Sequence, residues 1–117
     1  MNVVIVTHGR LAEGFASAVE VLLGNSADIY PVCVGETAEP DGAARIEAAI
    51  DACDGPAAIV TDALAGSTTQ LAAPIAVARG VPLVTGANLG LVMGLAMAEE
   101  FDPVLVDEAR DQVVLLG

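Results

Sequence analysis

The sequence predicts an α/β fold, a doubly wound, mainly parallel sheet in the order 2-1-3-4. Three observations predict it. Short apolar runs alternate along the chain with segments of helical periodicity. The first run, Val3-Val4-Ile5-Val6, is four consecutive β-branched residues, the pattern of a strand buried on both faces. Apolar residues make up 55% of the chain and aromatics only 3%, so Ala, Val, Leu and Ile fill the space between a sheet and the helices on both its sides. At 117 residues the chain is expected to form one domain, residues 1–117, with a single core.

Each element has its own signal. Strand one is Val3–Val6. After it, Leu11, Phe15, Val19, Leu22 and Leu23 recur at helical spacing, with Glu13 and Glu20 off that face, giving helix one over about Leu11–Leu23. Gly24-Asn25-Ser26 stops it. Strand two is Ile29–Val34, and Gly35 to Gly42 is a polar loop containing Pro40. Helix two covers about Ala43–Cys53, with Ala43, Ile46 and Ile50 facing in and Glu47, Asp51 and Asp54 facing out. Gly55-Pro56 breaks the chain before strand three, Ala58–Thr61. Helix three starts near Thr68 and ends before Gly80. Pro74 falls inside it, where its ring would clash with the Gln70 carbonyl, so the helix is expected to begin later or to be irregular in its first turns. Strand four is Pro82–Thr85, helix four about Leu89–Glu100, and a short helix is expected near Pro103–Arg110. Val113-Val114-Leu115-Leu116 reads as a fifth, apolar strand. Left at the edge of its own sheet it would expose unpaired backbone groups; added antiparallel to the edge of a partner's sheet it would satisfy them and make a dimer by exchange.

Composition excludes some functions. The net charge is -12, with no lysine, which argues against binding a nucleic-acid backbone. The acidity suits either a basic protein partner or plain solubility. Cys33 and Cys53 match no metal or redox spacing and are expected as buried free thiols in a reducing compartment. No secretory signal is visible, so a cytoplasmic protein is expected. Val81 to Ala98 is free of charge and long enough for a minimal membrane span. Pro82 and Thr85-Gly86-Ala87-Asn88 instead make it a strand, a turn and a helix.

The chemistry gathers at one edge of the sheet. Strand one ends Val6-Thr7-His8, strand three Val60-Thr61-Asp62 and strand four Val84-Thr85-Gly86. In the order 2-1-3-4, strands one and three are neighbours about 4.8 Å apart, and the order reverses between them, leaving a crevice. His8, the only histidine, and Asp62 are therefore expected within hydrogen-bonding reach. A carboxylate that accepts one imidazole N–H fixes the tautomer and leaves the other nitrogen as a nucleophile. The start of helix one at Gly9, and the small-residue loop Ala65-Gly66-Ser67-Thr68 leading into helix three, suit a phosphoryl group through amides and hydroxyls. Gly9, Gly66, Ser67 and Thr68 are thus the candidate phosphate ligands. Duller readings stand beside these: His8 as a polar strand end, Asp62 as a turn cap, Ser67 as the N-cap of helix three and Asn88 as that of helix four. A metal site on His8, Asp62 and Cys33 lacks a fourth ligand, and strand two lies on the far side of strand one from strand three. No cofactor or metal is expected.

Ile5-Val6-Thr7-His8-Gly9, a helix with Glu13, Ile59-Val60-Thr61-Asp62 with Gly66-Ser67, and Gly86-Ala87-Asn88 follow one another in the chain. In that order they resemble the IIA component of the bacterial phosphoenolpyruvate-dependent sugar phosphotransferase system, mannose type, over essentially the whole chain. The resemblance implies a phosphotransferase for sugar uptake in which His8 accepts phosphate from the phosphocarrier protein HPr and passes it to a IIB component. It implies that Asp62 bonds His8, that Ser67 is the family's loop serine, and that the protein is a homodimer exchanging a carboxy-terminal strand. Contact with a membrane would be only indirect, through the transporter components. The sequence departs from the family's Gly-Gly-Ser-Pro loop, with Ala65-Gly66-Ser67-Thr68 in its place and Gln70 where the family has Asn. Two alternatives are the related phosphotransfer subunit of dihydroxyacetone kinase, which has Ser where this chain has Gly9, and a non-catalytic regulatory module of the same fold.

Overall fold

The computed structural model describes residues 1–35 and 41–117. The expected polar loop between strand two and helix two falls largely outside these residues. The elements are β1 (Asn2–His8), α1 (Leu11–Leu23), β2 (Ile29–Val34), α2 (Gly42–Ala52), β3 (Ala57–Thr61), α3 (Ser67–Arg79), β4 (Leu83–Thr85), α4 (Leu89–Met97) and α5 (Val104–Arg110). The strands form a four-stranded sheet in the order β2-β1-β3-β4. All three pairings are parallel, with Val6 opposite both Val32 and Thr61. The expected sheet order and class are those observed.

The run Val3–Val6 is fully buried because successive strand residues face opposite sides of the sheet. Val3 and Ile5 join the cluster built with Val19 of α1, Leu91 and Leu95 of α4 and Ala109 of α5. Val4 and Val6 join the cluster built with Ile46 and Ile50 of α2 and Ala72 and Ala76 of α3. Helices thus cover both faces, which is what a fully apolar central strand requires.

Several expectations need correction. α1 buries only the middle of the stripe Leu11–Phe15–Val19–Leu22. Ala12 and Val19 are buried, Phe15 and Ala16 half-buried, and Leu11 and Leu22 exposed. Small Ala12 and Ala16 lie about two turns and one turn before Val19 and let the helix settle close to the sheet on their side of the stripe. α2 begins at Gly42, one residue early. A Cβ there would lie 2.9 Å from Leu71 Cδ1, so glycine permits the close contact with α3. α3 begins at Ser67 and runs unbroken past Pro74. Both Gln70 and Pro74 lie on the exposed side of the helix, where a carbonyl without a helical donor costs least. α4 stops at Met97 rather than Glu100, where Ala98 turns extended. The Met1 amino group satisfies its last turn, donating to the Leu95 and Ala96 carbonyls at 3.2 Å each and to the Ala98 carbonyl. Cys33 and Cys53 are free but only half-buried.

The segment 81–98 is a strand, a turn and a helix, and no helix among the described residues is long and apolar enough to cross a membrane. The short helix of the tail is present as α5. Residues 113–117 belong to no strand of the single chain, and Val113, Val114, Leu115 and Leu116 are all exposed.

Candidate functional site

The site forms where β1 and β3 end side by side. Thr7, the last buried residue of β1, accepts the Ala12 N–H on its hydroxyl at 2.7 Å and so caps the entry to α1. Between them the chain turns at Gly9, whose φ of 57° lies in the left-handed region that favours glycine. The Gly9 N–H donates to the Val34 carbonyl at 2.9 Å. Gly9 therefore supplies the turn, and its amide is engaged within the chain. Glu13 lies in the first turn of α1, in an exposed ion pair with Arg10 at 3.1 Å.

This turn presents His8 to Asp62, which follows the last residue of β3. The His8 backbone N–H donates to Asp62 Oδ2 at 2.9 Å, and His8 Nδ1 lies 2.8 Å from the same oxygen. Asp62 Oδ1 accepts the Thr68 hydroxyl at 2.7 Å. An ionised carboxylate only accepts, so Nδ1 carries a proton, and in the neutral form of the ring Nε2 keeps its lone pair. Nε2 lies 3.1 Å from Ser67 Oγ, which donates to it. Burial pushes the Asp62 carboxyl up. Hydrogen bonds from the His8 backbone, the His8 ring and Thr68, with the charge of the ring when it is protonated, outweigh burial and hold it below its ordinary value. The His8 side chain is 37% exposed and that of Asp62 14%, so the nucleophile meets solvent while its partner is shielded.

The third side is the start of α3. Gly66 is its N-cap and no side chain caps it, so its first-turn N–H groups lack an intrahelical acceptor beside the imidazole. A Cβ on Gly66 would stand 3.1 Å from His8 Cε1, so the residue is glycine for space; its φ of -157° is ordinary extended backbone. Thr69 donates to the Ala63 carbonyl at 2.6 Å, which leaves the Thr61 hydroxyl as donor to Thr69 Oγ1 at 2.7 Å. These bonds tie the loop between β3 and α3 to the strand it leaves.

The structure thus brings together His8, Asp62, Gly66 and Ser67. Thr68, the other expected hydroxyl, is fully buried and donates to Asp62 Oδ1. Ser67 is the first helical residue and not the N-cap. Asn88 does cap α4, accepting from the Leu91 N–H at 2.8 Å, while its amide donates to the Ala109 carbonyl at 3.3 Å. The bonds made by Thr7, Thr61, Thr68 and Thr69 were missed in the sequence. A cluster of threonines at strand ends and a helix start is their only signal there.

A model of the family described as the phosphotransferase system fructose IIA component matches residues 2–114. The chain belongs to this family. IIA components are phosphotransfer components of sugar uptake. The fold is similar to that of the mannose/sorbose specific IIA subunit from Enterococcus faecalis, with a TM-score of 0.83 and 20% identity over 99% of this chain and 94% of that one. It is also similar to the component EIIA from Streptococcus agalactiae, at 0.79 and 18% over 97% and 95%. The IIA protein associated with the fucose utilization operon of Streptococcus pneumoniae matches at 0.74 and 17% over 98% and 92%. At these identities the similarity is one of fold. No curated protein matches the sequence significantly.

Proposed function

We propose that this IIA chain is a phosphocarrier that accepts a phosphoryl group from HPr on His8 Nε2 and passes it to a IIB component. The observation that carries the reading is the Nδ1–Asp62 bond of 2.8 Å, which in the neutral ring leaves the opposite nitrogen as the one with a lone pair. In the transfer step the Nε2 lone pair attacks phosphorus and forms the N–P bond. The bond from phosphorus to the donor breaks, and its electron pair leaves with the donor. The ring becomes cationic, and Asp62 supplies the counter-charge. No proton has to move, because Nε2 carries none. Ser67 releases Nε2 and turns its hydroxyl to the phosphoryl oxygens, joined by the open amides at the start of α3. Gly66 keeps the approach clear.

Residues 113–116 support a further part of this reading. They are apolar and exposed, and β4 has a strand neighbour on one side only among the described residues. On this reading two chains exchange these segments as antiparallel strands in a homodimer, which works in the cytoplasm beside the membrane components.

The test is incubation with phosphoenolpyruvate, enzyme I and HPr, followed by mass analysis of the peptide bearing His8. An acid-labile phosphate on His8 is expected, and none in His8→Ala. Substantial labelling of that variant refutes the assignment.

A further inference from the structure

We propose that Thr68 is a positioning residue for phosphoryl transfer, acting on His8 through Asp62. The inference rests on the phosphocarrier reading only for its effect on rate; its effect on the imidazole proton is independent of it.

A carboxylate rotates about its last side-chain bond unless both oxygens are held. Oδ2 is held at one end by the His8 backbone N–H at 2.9 Å and by Nδ1 at 2.8 Å. Oδ1 has one side-chain donor among the described residues, the Thr68 hydroxyl at 2.7 Å. That donor is itself fixed, because Thr68 is fully buried in the first turn of α3. Its neighbour Ser67 reaches Nε2 at 3.1 Å. One helical turn therefore holds the imidazole from both ends: Ser67 directly at Nε2, Thr68 through the carboxylate at Nδ1. Removing the hydroxyl leaves Oδ1 shielded and without its partner. The carboxylate then turns to find another donor, and Oδ2 swings off the line to Nδ1–H. The ring loses its fixed tautomer, and Nε2 is protonated in part of the molecules. A protonated Nε2 has no lone pair with which to attack.

The test uses Thr68→Val, which keeps the buried shape without the hydroxyl, and Thr68→Ser, which keeps the hydroxyl. The first readout is the pair of ¹⁵N shifts of the His8 ring at neutral pH. Wild type and Thr68→Ser are expected to show one protonated Nδ1 and one unprotonated Nε2, and Thr68→Val a mixture of tautomers. The second readout is the rate of phosphate uptake from phosphoenolpyruvate, enzyme I and HPr. Thr68→Val is expected to slow it about tenfold, with Thr68→Ser near wild type. In an Asp62→Asn background Thr68→Val should add nothing, because the residue it acts through is gone. Wild-type ring shifts in Thr68→Val overturn the proposal. So does a Thr68→Ser variant as impaired as Thr68→Val, or a full further loss in the Asp62→Asn background. If wild type itself takes up no phosphate, the phosphocarrier reading fails, and the ring shifts still decide the role of Thr68.

Discussion

At the carboxyl ends of β1 and β3, both ring nitrogens of His8, both oxygens of Asp62 and the hydroxyl of Thr68 have partners at 2.7–3.1 Å within the chain. At residues 113–116 the position is reversed. Four large apolar side chains stand 62–94% exposed outside any strand. The first region needs no second molecule to be ordered. The second has apolar surface and strand-forming residues whose satisfaction lies elsewhere. On the proposed function the difference separates two tasks: the reactive group is set by one chain, and the assembly by what the tail meets.

Deleting Gln112–Gly117 is the largest test of that separation. On the proposed exchange, the full chain scatters light as a dimer at micromolar concentration and the truncated chain as a monomer or an aggregating species. Truncated chain that stays folded should still take up phosphate on His8. A truncated chain that remains a well-behaved dimer removes strand exchange. A folded truncated chain whose His8 is no longer phosphorylated merges the two regions and breaks the comparison.

Gly66→Ala is a smaller perturbation, confined to the first region. The new Cβ meets His8 Cε1 at 3.1 Å, so the ring has to shift by a few tenths of an ångström. Phosphate uptake should fall about tenfold, while thermal stability changes by no more than about 1 kcal/mol, since the half-exposed imidazole has room to move. The oligomeric state should not change. Uptake at the wild-type rate would show that the close fit of Gly66 to the ring is not needed.

Acid gives the smallest effect. The Asp62 carboxyl is held below its ordinary value in the folded chain, so it binds its proton less readily folded than unfolded. Its contribution to stability is complete above about pH 4, the ordinary carboxyl range, and is lost as pH falls through the lowered folded value. Between pH 6 and pH 3 the melting temperature of Asp62→Asn should therefore fall less than that of wild type. Equal slopes in the two proteins would mean that the three donors around Asp62 contribute nothing measurable to folding.

Much of the architecture follows from local pattern alone. The apolar run Val3–Val6, the period change at Leu11 and the turn signals at Gly24, Gly55-Pro56 and Gly80 specify alternating strands and helices. An alternating chain of this kind has few ways to pack besides a parallel sheet covered on both faces. The strand-end positions of His8 and Asp62 follow from the same pattern once the order 2-1-3-4 is assumed. Tertiary structure decided what pattern cannot carry. Which side of the apolar stripe on α1 turns inward depends on how near Ala12 and Ala16 let the helix come. Whether α3 tolerates Pro74 depends on Gln70 facing water. That Thr68 serves Asp62, and that the Gly9 amide is already bonded to Val34, depend on which donor reaches which acceptor across elements distant in sequence. Residue type states what a side chain is able to donate or accept. Only the packed arrangement fixes the partner, because a hydrogen bond is settled over a few tenths of an ångström and no local periodicity reaches that scale.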